Sequence, residues 1–387
     1  MDFENDAVCE KIINEIDLVF QNDSDLCTFE IIHLAANQNK NKSPVIHAEN
    51  NLGLESWCTQ HVYEYAHKTI FNKKMENPKS IHCISIVKYL NCAILINPDV
   101  ATFWNIRRKL FINNKLNITK EFKFSSIVLS KKPKSNEAFC YRRWLFSFQS
   151  AFATDWTYEL GLCERCADKS SSNYPAWCHR NWVLNKSPFL LKYEPRITEK
   201  FIRKHIGDYS GYSHRQYVLY KLLETNIVED QQESCKYSEL IHFVNRITSK
   251  QIATADQLIH ILLPTGQTVH NEIQMKSFLH CMNIAAQDLE MCNELTNMYG
   301  YREAFQCHRR AVLKFIVESF KKFNCVDVIG DQPQQKIVKI DGSVYCGPYE
   351  FLECLRSSEG GRGELHRKWC QTFLGFQYRG DDSAAIA

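Results

Sequence analysis

An all-α chain, folded as a solenoid of helical hairpins, is predicted by three features of the sequence. Helix breakers are scarce and large apolar groups abundant: 14 Gly and 10 Pro stand against 23 Phe, 17 Tyr and 7 Trp in 387 residues, which favours long helices around a sizeable core. A short phrase also recurs. Aligned on its arginine it reads "FWNIRRKLF" with Trp104 and Arg107, "AFCYRRWLF" with Phe139 and Arg142, "AWCHRNWVL" with Trp177 and Arg180, and "GYSHRQYVL" with Tyr212 and Arg215. These arginines are 35, 38 and 35 residues apart, and a period in the thirties marks stacked helix pairs. Finally, each phrase follows a polar turn, "NPDVAT", "KPKSN", "SSSN" or "GDYSG". The Asn, Ser and Asp side chains there can accept hydrogen bonds from the free N–H groups of a starting helix. Each phrase therefore opens the second helix of a pair.

Residues 1–80 read as N-terminal helices leading into the array. "DAVCEKIINEIDLVF" has helical periodicity, "ANQNKNKS" (36–43) reads as a linker, and "VIHAENNLGLESWCTQHVYEYAHKTIF" as one or two helices. Repeats occupy residues 81–325, and "IHCISIVKYLNCAILINPD" is the first helix of the first clear pair, ended by Asn97-Pro98. Pro175 falls in the first turn of its helix, where a missing donor matters little. The aromatic and the arginine of each phrase lie three residues apart, on one helical face. The ring is expected to fill the gap between stacked helices, and the arginine stem to run along the same seam. The planar head can stack on rings and donate to carbonyls at a neighbouring helix end.

An insertion is expected around residues 225–270, polar near "ETNIVEDQQESCKYSE" and followed by helical "QMKSFLHCMNIAAQDLEMCNEL". Two degraded copies come next. "AFQCHRRAVLKF" keeps Arg309, with Gln306 three before it and Phe305 displaced by one; "ELHRKWC" has Arg367 with Glu364 in place of the aromatic. Residues 326–387 hold an irregular loop with a short hairpin in "DQPQQKIVKIDGSVYCGPYE", the degenerate last repeat and a C-terminal tail.

The net charge of +3 supplies no global field for nucleic acid or an anionic membrane. RNA binding by the repeat arginines is disfavoured, because they lie with the core aromatics and not on a free face. "GGRG" at 360–363 offers a single glycine-flanked arginine. The start, "MDFENDAVCEKIINE", lacks the basic and apolar regions of an export signal. The 17 cysteines are therefore expected as reduced thiols in the cytoplasm or nucleus, acting as small buried hydrophobes. The one C-x-x-C, Cys163 and Cys166, would need two more ligands for zinc, and no second pair has the spacing. No apolar run approaches the roughly 18 residues of a membrane span. The final "AAIA" has no cysteine at the fourth-last position, so the chain is not expected to be a C-a-a-X substrate.

The phrase aromatic-x-x-Arg with a following aliphatic pair, preceded by Asn-Tyr as in "NYPAWCHRNWVL", resembles the protein prenyltransferase alpha-subunit repeat. The resemblance is good over about residues 82–225 and weak over 290–370; "SPVIHAENNLGLESWC" is similar to a divergent alpha-type branch. It implies a right-handed α-α superhelix, a crescent of hairpins wrapped around a barrel-shaped beta subunit of the Rab geranylgeranyltransferase type. No cofactor is implied in this chain. Zinc and the lipid tunnel are implied on the partner, with geranylgeranyl diphosphate as co-substrate and a protein with a C-terminal cysteine as acceptor.

The resemblance also implies site residues. A lysine just before the second repeat's aromatic reaches the diphosphate in the family, and Lys134, five before Phe139, occupies that place. An Asn-Tyr-His sequence lines the shared cleft in the family's third repeat. Here Asn173 and Tyr174 match it, as substrate-binding candidates, and Pro175 replaces the histidine. Each has a structural alternative: Lys134 follows Lys131 and Lys132 in what reads as a solvated basic turn, Asn173 reads as a helix cap and Tyr174 as packing. A non-catalytic scaffold presenting a peptide-binding surface is the competing reading of the whole chain.

Overall fold

The computed structural model describes residues 3–33, 43–76, 84–149, 154–227, 237–263, 272–323, 338–340, 343–345 and 347–376. The fold is an all-α helical-repeat fold, and the chain divides into two compact units, residues 1–183 and 184–387. Among the described residues no helix is long and apolar enough to cross a membrane.

The first unit begins with α1 (Phe3–Asn22) and α2 (Ser56–Glu76), which pack together and on α3 (Val87–Ile96). Hairpins follow: α3 with α4 (Ala101–Ile112), α5 (Ile118–Lys131) with α6 (Asn136–Leu145), and α7 (Trp156–Lys169) with α8 (Tyr174–Lys186), the last crossing the boundary between units. Stacking is regular. First helices meet first helices, α3 on α5 and α5 on α7, and second meets second, α4 on α6. Ser135 and Asn173, in turns the sequence marked, cap α6 and α8 by accepting from Ala138 and Ala176 N–H; α5 and α7 are capped as well, by Asn117 and Asp155, which the sequence reading did not mark. The exception is α4, which starts at Val100 with no side-chain cap; Asp99 instead pairs with Lys132.

Residues 1–80 correct the expectation of helices alone. "VIHAENNLGLE" is a β-hairpin and not part of a helix: β2 (Val45–Ala48) pairs antiparallel with β3 (Asn51–Glu55), and β1 (Thr28–Ile32) joins β3 in parallel, giving the order β1-β3-β2. Its two-residue turn, Glu49-Asn50, has positive φ at both positions (47° and 63°), the geometry whose twist matches paired strands. A Cβ at Gly53 would lie 2.4 Å from Ile32 Cδ1, the end of a side chain that would have to turn aside. Phe29, Leu52 and Leu54 enter the helical core, and the outer edge of β1 is covered by α5, where Phe29 N–H donates to Ser130 Oγ at 3.0 Å. The linker read at 36–43 lies outside the described residues except for Ser43.

The second unit holds α9 (Glu194–Lys204) with α10 (Tyr209–Thr225) and α13 (Glu272–Tyr299) with α14 (Glu303–Lys322), and α10 stacks on α14. The insertion carries α11 (Ser238–Thr248) and α12 (Ala255–Leu262). The first packs on α13 and α15 (Gly347–Gly360), the second on α15, and α16 (Glu364–Leu374) packs on α14. The predicted short hairpin is β4 (Val338–Ile340) against β5 (Ser343–Tyr345).

Candidate functional site

Two sets of residues answer to the sequence motifs: a buried lattice joining the hairpins, and a small exposed turn beside it. The lattice uses the ring and the arginine of all four clear copies, with Arg309 of the first degraded one. Trp104, Phe139, Trp177 and Tyr212 are buried, as are Arg107, Arg142, Arg180, Arg215 and Arg309. Rings hold the preceding turn: Trp104 Nε1 donates to Pro98 O at 2.7 Å and Tyr212 Oη to Ile206 O at 3.2 Å. In the degraded copy, Phe305 takes the buried aromatic place. The guanidinium of Arg107 lies 3.8 Å over the Phe124 ring.

Four of the five arginine heads also donate to a backbone carbonyl of their own hairpin's first helix, 20 residues earlier, while Arg107 reaches the side chain of Asn91 on α3 at 2.7 Å. Arg142 reaches Phe122 O at 2.6 Å, Arg180 Leu160 O at 2.7 Å, Arg309 Leu289 O at 3.1 Å, and Arg215 reaches Pro195 O. The principal partner was not anticipated from sequence. It is a buried carboxylate on the first helix of the next hairpin: Glu121 for Arg107, Glu159 for Arg142, Asp288 for Arg215 and Glu359 for Arg309. That carboxylate also takes a ring donor from its own hairpin's second helix. Tyr141 reaches Glu121 at 2.6 Å, His179 Glu159 at 3.1 Å, His308 Asp288 at 3.2 Å and His366 Glu359 at 3.0 Å. His214 meets Glu194 in the same way, at 2.8 Å.

Electrostatics favours the ionised form of Glu159, Asp288 and Glu359. Burial pushes Glu159 up, but the Arg142 charge and the hydrogen bonds from His179 and Arg142 outweigh it and bring it down to about 2. Asp288 is lowered against its burial by Arg215 and His308, and Glu359 by Arg309 and His366. His179 is lowered by burial despite Glu159, so it donates as a neutral ring. This lattice stacks hairpins and presents no reactive group to solvent.

The exposed turn lies between α5 and α6, and its three lysines differ. Lys131 is half-buried and donates to Leu95 O and Ile96 O at the end of α3, and burial and the nearby Lys132 lower it to about 8. Lys132 pairs with Asp99. Lys134 is exposed and makes no ion pair or hydrogen bond with any described residue.

Asn173, a substrate-binding candidate from sequence, is fully buried, and its side chain is engaged: Nδ2 donates to Pro133 O at 2.7 Å and Cys166 O at 2.9 Å, and Oδ1 accepts from Ala176 N–H at 3.1 Å. It caps α8 and staples it to the lysine turn, with no donor left for a ligand. Tyr174 is 71% exposed, and a hydrogen bond with Cys178 raises its pKa. The bond from Asn173 to Pro133 therefore links the two segments that carry Lys134 and Tyr174, each a chain neighbour of one partner. The N-terminus of α8 adds no anion donor: Tyr174 N–H bonds Ser172 O, Pro175 has none, and Ala176 is capped.

Cys163 and Cys166 are buried on α7, and burial pushes Cys163 well up and Cys166 to about 12. Among the described residues no three His, Cys, Asp or Glu side chains stand close enough to share a metal ion.

A family profile described as the protein prenyltransferase alpha subunit repeat matches residues 118–149, 156–187 and 191–222, which contain the hairpins α5–α6, α7–α8 and α9–α10. Protein prenyltransferase alpha subunit repeat-containing protein 1-B of Xenopus laevis is 25% identical over 81% of this chain and 74% of its own length. Protein prenyltransferase alpha subunit repeat-containing protein 1 of Danio rerio is 26% identical over 80% and 72%. Geranylgeranyl transferase type-2 subunit alpha of Sus scrofa is 26% identical over 42% of this chain and 29% of its own.

Proposed function

Because this chain is built on protein prenyltransferase alpha-subunit repeats, we propose that it is the alpha-type subunit of a two-chain protein prenyltransferase, inactive alone. The observation that carries the reading is Lys134: of three lysines at one turn it alone has no partner among the described residues, and Asn173, the chain neighbour of exposed Tyr174, binds the carbonyl just before it.

The reaction is geranylgeranyl transfer to a protein cysteine. A sulfur–carbon bond forms at the first carbon of the isoprenoid as the carbon–oxygen bond to diphosphate breaks, and the leaving diphosphate takes that electron pair. Negative charge on its oxygens grows in the transition state, and a fixed ammonium aimed there lowers the barrier. Lys134 supplies that ammonium. Tyr174, next to Asn173 in the chain, offers an exposed phenol, and α8 contributes no backbone donor, so this chain's share of diphosphate binding rests on two side chains. Zinc, which would activate the thiol, has no fitting ligand set among the described residues and would lie, with the lipid tunnel, on a beta subunit of the Rab geranylgeranyltransferase type.

The test is co-expression with that beta subunit, followed by incubation with geranylgeranyl diphosphate and proteins ending in cysteine, read by mass spectrometry. Transfer by the pair and by neither chain alone is expected. A pair that assembles and transfers no lipid would leave a helical-repeat scaffold as the function, a reading that the donor-poor start of α8 favours. Failure to assemble would remove the alpha-subunit assignment.

A further inference from the structure

We propose that Asn173 is a positioning residue for Lys134, acting through the Pro133–Lys134 peptide. The inference rests on the diphosphate reading above and deepens it. The carbonyl of Pro133 and the N–H of Lys134 belong to one rigid peptide plane, so a donor that fixes the first fixes the starting point of the lysine side chain. Asn173 Nδ2 makes that bond at 2.7 Å. Its other amide hydrogen goes to Cys166 O on α7 and its oxygen to Ala176 N–H on α8. One buried side chain thus ties three segments together: the end of α7, the start of α8, and the turn that carries Lys134.

The rest of the turn is held independently. Ser135 N–H bonds Lys132 O at 3.0 Å, and Ser135 Oγ accepts from Ala138 N–H at 3.3 Å to start α6. The Pro133–Lys134 peptide is the middle one of the turn that the first bond closes, and the Asn173 bond sets which way its carbonyl faces. Asparagine suits the position chemically. It has two donors for two carbonyls and an acceptor for one N–H; aspartate has no donor, and serine reaches only the cap.

The experiment uses the assembled complex and compares Lys134→Ala, Asn173→Ser and their double variant, with Pro133→Gly as a second way of loosening the same peptide without touching α8. Serine retains the helix cap and loses the staple. A misplaced catalytic contact lowers turnover by roughly ten- to a hundredfold, so Asn173→Ser and Pro133→Gly are each expected to reduce kcat in that range while KM for the acceptor protein and the yield of complex stay unchanged.

Because both act through Lys134, adding Lys134→Ala to Asn173→Ser is expected to lower kcat no further than Lys134→Ala does. Multiplied losses in the double variant would mean that Asn173 acts by some other route, and would overturn the inference. So would full turnover in a folded Asn173→Ser complex, or, if that variant does not assemble, full turnover in Pro133→Gly. Unchanged turnover in Lys134→Ala removes the diphosphate reading itself and the inference with it, an outcome distinguishable because it needs only the one variant.

Discussion

Glu159 is shared between two hairpins: Arg142 of one and His179 of the next both bond its carboxylate, the arginine through Nε at 3.1 Å and the histidine through Nε2 at 3.1 Å. All three side chains are buried, and each needs the others. Without Glu159, a guanidinium would remain ionised in the core. Glu159→Gln is therefore expected to destabilise the full chain by about 3–5 kcal/mol, the range for breaking one side of a buried pair. Urea unfolding checks it. A loss under about 1 kcal/mol would mean that solvent reaches the lock.

The same lock sets an acid limit. Folding lowers the Glu159 pKa from its ordinary 4.5 to about 2, so as pH falls the unfolded chain binds the proton first. Its stabilising contribution is complete above about pH 4.5 and is lost as pH falls toward 2. The unfolding free energy of the native chain should therefore decline more steeply across that window than that of Glu159→Gln, in which position 159 no longer titrates. Parallel curves would locate the acid sensitivity elsewhere.

Asp288 carries a third expectation. It pairs with Arg215 at 2.5 Å across 73 residues of sequence and with its own His308 at 3.2 Å. That makes α13 the direct structural successor of α9–α10, with α11 and α12 set into the chain between. Asp288→Asn should destabilise as much as Glu159→Gln, and Arg215→Met should not add its full effect to Asp288→Asn, since contacting residues are coupled. Full additivity would show that Arg215 is stabilised by the Pro195 carbonyl and Thr198 alone.

This relationship also shows where the sequence was legible. The phrase marks the ring and the arginine, and both are buried wherever the period placed them, because sterics at the seam admit few alternatives. The carboxylate escaped notice because it belongs to the following hairpin. Its signal was present nonetheless: an acid stands 21 residues before each of Arg142, Arg180, Arg215 and Arg309, as Glu121, Glu159, Glu194 and Asp288. The N-terminal sheet was missed for another reason. Its strands are only four or five residues long, too short for alternation to outweigh helical propensity, and its clearest mark was the asparagine at Asn50 in a turn with positive φ. At the candidate site, Asn173 matched a ligand-binding motif and also read as a helix cap; the bond from Ala176 N–H bears out the cap, and the bonds to Pro133 O and Cys166 O add a staple that no local pattern marked.

The lysine turn gives the last expectation, because its three cations should separate stability from turnover. Lys131 binds the carbonyl end of α3 from a largely buried position, and hydrogen bonds to a charged group are worth about 1.5–3 kcal/mol. Lys131→Met should therefore lower stability by roughly that amount. Lys132 forms a half-exposed pair with Asp99, and such pairs contribute about 0–1 kcal/mol. Lys134 touches no described partner, and an exposed substitution of this kind stays within about 0.5 kcal/mol. Turnover of the assembled enzyme should rank the other way. Lys134→Ala is expected to slow it by roughly a hundredfold, the loss seen when one fixed transition-state donor is removed, while Lys132→Ala leaves it near normal. Lys134→Arg should restore part of the rate, since a cation returns to the turn in a different geometry. Equal loss from Lys132→Ala and Lys134→Ala would mean that the turn acts through diffuse charge, and that no single ammonium is aimed at the leaving group.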